Sequence, residues 1–397
     1  MAGALICYPF LAGAQDASAP APAPAPAPAQ APAPAPAPAA APAAPTWSAG
    51  GIDFSGFIDG YYSYNANRPS NAANGQVNDL YNFNDKTDQF NLSAAKLTIN
   101  HSPDPVGAHI DLIFGRTNSL IHSASDSSTA NYLEQAYLSF TPAKAHGTEL
   151  DFGQFVTSAG AEVIEAKDDW NYSRSILFVW AIPYYHFGLR TSTPVTKAWT
   201  VGLQVVNGWN NDTANNGGVT IGLTSAYVKP KFTWNLNYYT GPENVDTQKG
   251  YRNLIDTTLL LTPSAKFNAY INYDYGQNRT DSYVAYPGID GGYTVPEQSA
   301  HWQGVAFAAK GQVTAKSALV GRYEYYTDSE GFETGLNQNL QEFTATYEYK
   351  WLEGLLTRVE YRRDWSDHDF FHKGDTQLVK AQSTATVAFI AFFGPKR

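Results

Sequence analysis

Four carboxylates crowd one short stretch of this 397-residue chain: Glu162, Glu165, Asp168 and Asp169, with Lys167 among them and Arg174 and Arg190 downstream. Side chains of both signs at such spacing can set up a local field, hold a cation or pass a proton, depending on how far they are withdrawn from water. The stretch 161–170 has the composition of a short helix, and the apolar run 176–180 after it calls for a surface to pack against. A solvated outer loop would carry the same acids but has no use for that apolar tail. His186 shares an inward face with Arg190 and reads as lining rather than as a base. A second cluster, Asp367, His368 and Asp369 with His372, has the makings of a metal site or of a general base with a carboxylate orienter. It falls in a polar hairpin loop, where flexible His and Asp are ordinary, and no Ser–His pairing can be read from spacing. No catalytic, cofactor-binding or metal site is expected, and the chain does not read as an enzyme.

The elements that must position these groups are segments with period-two alternation, separated by Gly, Asn, Pro and Asp. In 52–64, Ile52, Phe54, Ile58, Tyr62 and Tyr64 share one face, and Asp53, Ser55, Asp59 and Ser63 the other. Val106, Ala108, Ile110, Leu112 and Phe114 oppose His109 and Asp111, and Phe267, Ala269, Ile271, Tyr273 and Tyr275 oppose Lys266, Asn268, Asn272 and Asp274. At the carboxyl end Ala385, Val387, Phe389, Ala391 and Phe393 stand against Thr384, Thr386 and Ala388. Tight turns such as Ser102-Pro103-Asp104-Pro105 and Lys229-Pro230 alternate with long polar stretches such as 65–88 and 277–301. Short turns at one end and long loops at the other predict an all-β, transmembrane antiparallel barrel over 51–393, with about sixteen strands, within fourteen to eighteen. A soluble sandwich rich in aromatics is the competing reading, because alternation alone does not say which face meets water.

Composition favours the barrel. Hydrophobic residues make up 43% of the chain, yet the longest apolar run, 176–185, is too short for a spanning helix and contains Pro183. A closed barrel is then the way to satisfy every backbone group in lipid. Twenty-six Tyr and nine Trp suit the girdles at membrane interfaces. A net charge of -10 without a basic stripe excludes a nucleic-acid partner. A barrel of this size leaves an aqueous lumen. Inward Lys310, Arg322, Glu324, Arg358, Glu360 and Arg362, with Lys266, Asp274, Glu348 and Lys350, would line it as a hydrated passage with charges of both signs. Its narrowest point is expected where the segment 161–180 folds inward, with Glu162, Glu165, Asp168 and Asp169 on one side and Arg174, His186 and Arg190 near the other. At the amino end, 1–14 reads as a signal peptide closing on Ala12-Gly13-Ala14, without a positively charged start; its loss removes Cys7, the single cysteine. Residues 15–50 read as an extended Ala/Pro-rich linker in the periplasm, acting as a passive tether, and 394–397 as a short tail.

The region 150–210 also carries a family resemblance. Asp151-Phe152-Gly153 at a strand end, the small-residue turn Ser158-Ala159-Gly160, the acids Glu162 and Glu165, then Asn171-Tyr172-Ser173-Arg174 and Pro183-Tyr184-Tyr185 follow one another. In that order they resemble the OmpL-like group of bacterial outer-membrane porins, the second β-barrel porin family. The resemblance implies a porin-like channel in the bacterial outer membrane, passing small hydrophilic solutes or ions by diffusion. It implies outer-membrane lipid as surroundings and the barrel-assembly machinery as a partner in biogenesis, is compatible with a homo-oligomer, and names no solute. The rival expectation is a closed barrel acting as a structural anchor or surface-interaction protein.

Overall fold

The computed structural model describes residues 47–70, 76–122, 131–280 and 298–395. The expected signal peptide, nearly all of the Ala/Pro linker and the last two residues lie outside the described residues. Sixteen antiparallel strands close on themselves. In chain order they are β1 (Ile52–Asn65), β2 (Gln89–His101), β3 (Val106–Phe114), β4 (Leu133–Phe140), β5 (Glu149–Val156), β6 (Tyr185–Pro194), β7 (Trp199–Val206) and β8 (Thr220–Lys229). They continue with β9 (Phe232–Pro242), β10 (Tyr251–Ser264), β11 (Phe267–Thr280), β12 (Gln298–Gln312), β13 (Ser317–Asp328), β14 (Gln338–Leu352), β15 (Leu355–Ser366) and β16 (Ala381–Phe393). Each strand pairs with its sequence neighbours, and β16 pairs with β1 in the register Val387↔Tyr62 and Ala388↔Tyr61, which leaves no edge.

The alternation sets the faces. On β1, Ile58 is 57% exposed while Asp59 beside it is 1% exposed, and on β16 Phe389 is 58% exposed while Ala388 is fully buried. Apolar and aromatic side chains point outward around the ring and polar ones inward, the arrangement that lipid outside and protein inside select. No helix among the described residues is long and apolar enough to cross a membrane. Brief turns such as 230–231, 265–266 and 353–354 join strands at one end, and longer connections such as 66–88, 157–184 and 367–380 at the other. A bulge where β3 meets β4 shifts the register from Asp111↔Gln135 to Leu112↔Leu133, so Glu134 is an extra residue, buried beside Gln135.

The interior departs from the expected open lumen. The long connection 157–184 folds into the barrel, where Ile176, Leu177, Phe178, Val179 and Ile182 form a buried cluster with Trp302, Tyr239 and Tyr326 of the wall. Residues of the first long loop join it, with Phe83 against Phe178 and Tyr184, and the Trp180 indole N–H donating to the Leu80 carbonyl at 3.3 Å. A barrel of this girth has space that its own wall side chains cannot fill, and here two loops supply the filling.

Candidate functional site

The inner segment begins at a turn that only glycine fits. Gly160 has φ +93°, and a Cβ there would lie 2.6 Å from Cδ1 of Ile182. Beyond it the expected helix over 161–170 is replaced by irregular turns, and the one helical stretch is a single wide turn, Leu177–Ala181, in the apolar tail. The reason lies in where the backbone bonds go. Gly160 N–H donates to Asp256 at 3.0 Å and Ala161 N–H to Asn272 at 3.1 Å. Tyr172 and Ser173 N–H both donate to the Glu360 carboxylate, at 2.6 and 2.9 Å, and Ile176 and Leu177 N–H both donate to Glu324, at 3.1 Å each. These donors are taken by three wall carboxylates and one wall amide, which fix the segment to the wall at its start and again beyond residue 171.

The carbonyls are claimed in the same way. Arg358 donates to the carbonyls of Ala166, Asp169 and Asn171, Arg322 to that of Ser173 at 2.7 Å, and Arg362 to that of Arg174 at 2.6 Å. Within the segment, Arg174 donates to the carbonyls of Val163, Ile164 and Tyr172. The side chains named as lining, Arg322, Glu324, Arg358, Glu360 and Arg362, therefore do face inward, but each is at most 3% exposed. They are withdrawn from water and fasten the segment. Lys310 differs: it pairs with Glu348 at 2.8 Å toward the short-turn end, and both side chains keep open surface.

The acids of the segment do not gather on one side. Glu162 pairs with Arg322 at 2.6 Å and accepts from Ser175 N–H at 2.5 Å. Asp169 pairs with Arg174 at 3.2 Å and accepts from Val163 N–H at 3.0 Å. Burial pushes the Asp169 carboxyl well above the usual range, against the pull of the Arg174 guanidinium. Arg174 thus lies among the acids instead of across from them, its guanidinium 5.0 Å from the centre of the Phe83 ring. Arg190 is held elsewhere, paired with Asp151 at 2.7 Å and stacked over Phe155 and Tyr137. His186, 1% exposed, sits against the Gly208 carbonyl at 2.9 Å and the Thr157 hydroxyl at 3.3 Å, at the root of the segment.

Glu165 leads to a group that sequence reading missed. Lys96 on β2 meets Glu165, Asp111 at 2.8 Å and Glu134 at 2.5 Å, so one ammonium ties the segment to β2, β3 and β4 together. The three carboxylates have the spacing of a metal site, and the ammonium already stands among them as their cation. Lys96 occupies an inward position of an alternating strand, which is the signal that could have found it; Glu134, carried inward by a bulge, had none. Over 163–170 the half-buried residues are Val163, Glu165, Lys167, Asp168 and Trp170. Lys167 pairs with Asp168 along this edge. The cluster in the last long loop is split by the fold: His372 bonds Asp79 at 2.8 Å and His368 bonds Asp367 at 2.8 Å.

A sixteen-stranded closed barrel with a loop folded inside matches, over residues 51–393, the family described as "Putative beta-barrel porin-2, OmpL-like". The chain belongs to this family. It is an outer-membrane β-barrel of porin type, as the resemblance in the region 150–210 implied. Among solved structures it is similar to the outer membrane channel DcaP of Acinetobacter baumannii, at 11% identity and a TM-score of 0.58, covering 86% of this chain and 97% of that one. It is also similar to the trimer form of OmpT of Vibrio cholerae (12%, TM-score 0.54, 86% and 99% covered) and to an anion-selective porin of Comamonas acidovorans (11%, TM-score 0.53, 86% and 99% covered). At these identities the likeness is one of fold. No curated protein matches the sequence significantly.

Proposed function

We propose that this porin-family barrel passes small hydrophilic solutes or ions by diffusion through a narrow passage beside the inner segment, with Glu165, Lys167 and Asp168 at its edge. The observation that carries the reading is the segment itself: it crosses the interior, is fastened along most of its length, and keeps open surface on one charged stretch. Acids and an ammonium facing a restricted opening orient water and polar solutes, and they favour small ones. Outer-membrane lipid surrounds the barrel in this reading, the barrel-assembly machinery inserts it, and the amino-terminal linker extends into the periplasm. A homo-oligomer is proposed by analogy with the trimer seen for one similar fold. Purified protein in a planar bilayer should give small, stable conductance steps.

A second reading has its own observation. The inward charges of β13 and β15 are almost completely buried, as they would be in a closed barrel serving as anchor or surface-interaction protein. An intact, heat-modifiable barrel that stays silent in the bilayer would favour this anchor and overturn the passage.

A further inference from the structure

The outer wall carries two cations that lipid tails alone would not accommodate. Arg363 lies on the outward face of β15, near the long-loop end, and Lys380 directly precedes β16 at the same end. Arg363 donates one guanidinium N–H to the Ser383 hydroxyl at 3.0 Å, and Lys380 donates to the Asp367 carbonyl at 2.7 Å. Among the described residues, no carboxylate lies within ion-pair distance of either. The nearby Asp367 carboxylate is turned aside, accepting from Asn339 N–H at 2.9 Å, the Asn339 amide at 2.7 Å and His368 at 2.8 Å. The two cations flank a cleft of about 490 Å³ whose other walls are Phe343, Trp365, Ser366 and Ala381. Arg68, over the Tyr64 ring beyond β1, continues the basic rim along the next strand.

Below this cleft, toward the middle of the wall, the outward face is low. Gly321 pairs with Ala345, Ala345 with Tyr361, and Tyr361 with Ala385, which makes a row of small residues broken by one ring. A Cβ at Gly321 would meet nothing within 4 Å. The row lies two residues below Arg363, roughly 7 Å at the rise of a strand. A cationic, aromatic-sided cleft at the rim above an apolar furrow matches an amphiphile with an anionic head.

We propose that the face formed by β13 to β16 binds a phosphate-bearing lipid of the outer leaflet. Arg363 and Lys380 hold the phosphate, Trp365 and Phe343 flank the headgroup, and an acyl chain lies over Gly321 and Ala345, beside the Tyr361 ring. Long loops mark the outer side of such barrels, which places the cleft at outer-leaflet headgroup depth. Guanidinium and ammonium groups without a carboxylate partner keep their donors for phosphate oxygens, and partial desolvation at the interface strengthens the pairing.

The test is native mass spectrometry of the full chain in detergent, titrated with phosphatidylglycerol, with a neutral galactosyl diacylglycerol of the same chains, and with inorganic phosphate. The wild-type protein should retain phosphatidylglycerol over the neutral lipid. Arg363→Gln with Lys380→Gln should weaken that retention about thirtyfold, and Lys380→Gln alone about fivefold, each cation contributing a similar factor. Gly321→Leu with Ala345→Leu fills the furrow and should lower lipid retention with both cations in place. Equal retention of charged and neutral lipid, or unchanged retention in the charge variants, overturns the site. Inorganic phosphate bound as tightly as the lipid makes it a free-anion site and overturns the lipid; unchanged retention in the furrow variant overturns the acyl seat. Each variant is checked for heat-dependent migration. The Lys380 variant, altered at an exposed loop residue, keeps the test available if the double charge variant does not assemble.

Discussion

Replacing Glu360 by alanine is the sharpest way to ask whether the wall holds the inner segment in place. The carboxylate is 3% exposed and accepts three donors: Tyr172 N–H at 2.6 Å, Ser173 N–H at 2.9 Å and the Thr346 hydroxyl at 2.7 Å. The hydroxyl can rotate to another acceptor, but the two amides cannot follow. Each buried amide left without a partner costs roughly 1–3 kcal/mol, so Glu360→Ala destabilises the fastened arrangement by roughly 2–6 kcal/mol. At 1.36 kcal/mol per factor of ten, local opening of the segment becomes roughly thirty-fold to twenty-five-thousand-fold more frequent. Hydrogen exchange read by mass spectrometry should show faster exchange for amides between 170 and 178, with β15 itself unchanged. Glu360→Gln keeps one carbonyl acceptor and should give a smaller effect. If the segment exchanges as slowly in Glu360→Ala as in the wild type, with the barrel still heat-modifiable, then the wall carboxylates are not what holds it.

Gly160→Ala should loosen the same segment from its other end, because φ +93° strains a Cβ by roughly 1–2 kcal/mol and Ile182 Cδ1 stands 2.6 Å away; a lowered unfolding midpoint checks it. Lys310→Gln, at a side chain with 20% exposure, should move reversal potentials toward cation preference with conductance nearly constant. Arg358→Gln with Arg362→Gln should move selectivity the same way but change conductance too, since both side chains hold segment carbonyls; a selectivity shift at fixed conductance would put them in open water instead. Deleting 161–169 from a barrel that still assembles should raise conductance and admit larger sugars, and unaltered conductance would place the restriction elsewhere.

The wall was legible because alternation is a local property. Val359 out and Glu360 in, or Phe389 out and Ala388 in, follow from position parity once one strand is placed, and sixteen such strands with unequal loops leave little choice of architecture. The inner segment was legible as an interruption, and its apolar tail correctly signalled packing inside. Its conformation was not legible. Residues 161–170 have helix-forming composition, but propensity counts for little when Arg174 and the distant Arg358 take the carbonyls of Val163, Ile164 and Ala166 that such a helix would have paired. Charge reading failed for a related reason. Both signs on inward faces are what a hydrated passage would show, and equally what a buried network would show; only a partner contributed by another part of the chain distinguishes them. Arg322 meets Glu162 and the Ser173 carbonyl, contacts that no local pattern announces.

The mode of fastening has a consequence for how the interior can change. Because many of the ties run from wall side chains to segment backbone, the wall strands encode much of the segment's path, and substitutions at its half-buried edge leave those ties intact. Lys167 can therefore vary in charge without releasing the segment, whereas Glu324, Arg358 or Glu360 cannot. The ties are also uneven around the ring. From β9 to β15 they recur on strand after strand, through Asn237, Asp256, Asn272, Trp302, Arg322, Thr346 and Arg358. On the side of β2 to β4 the attachment is the ion cluster around Lys96. That side combines the charged edge with an attachment concentrated in one ammonium. In the proposed reading, widening of the passage would thus start at Lys96 and Glu165, with the segment turning on its anchors along β9 to β15.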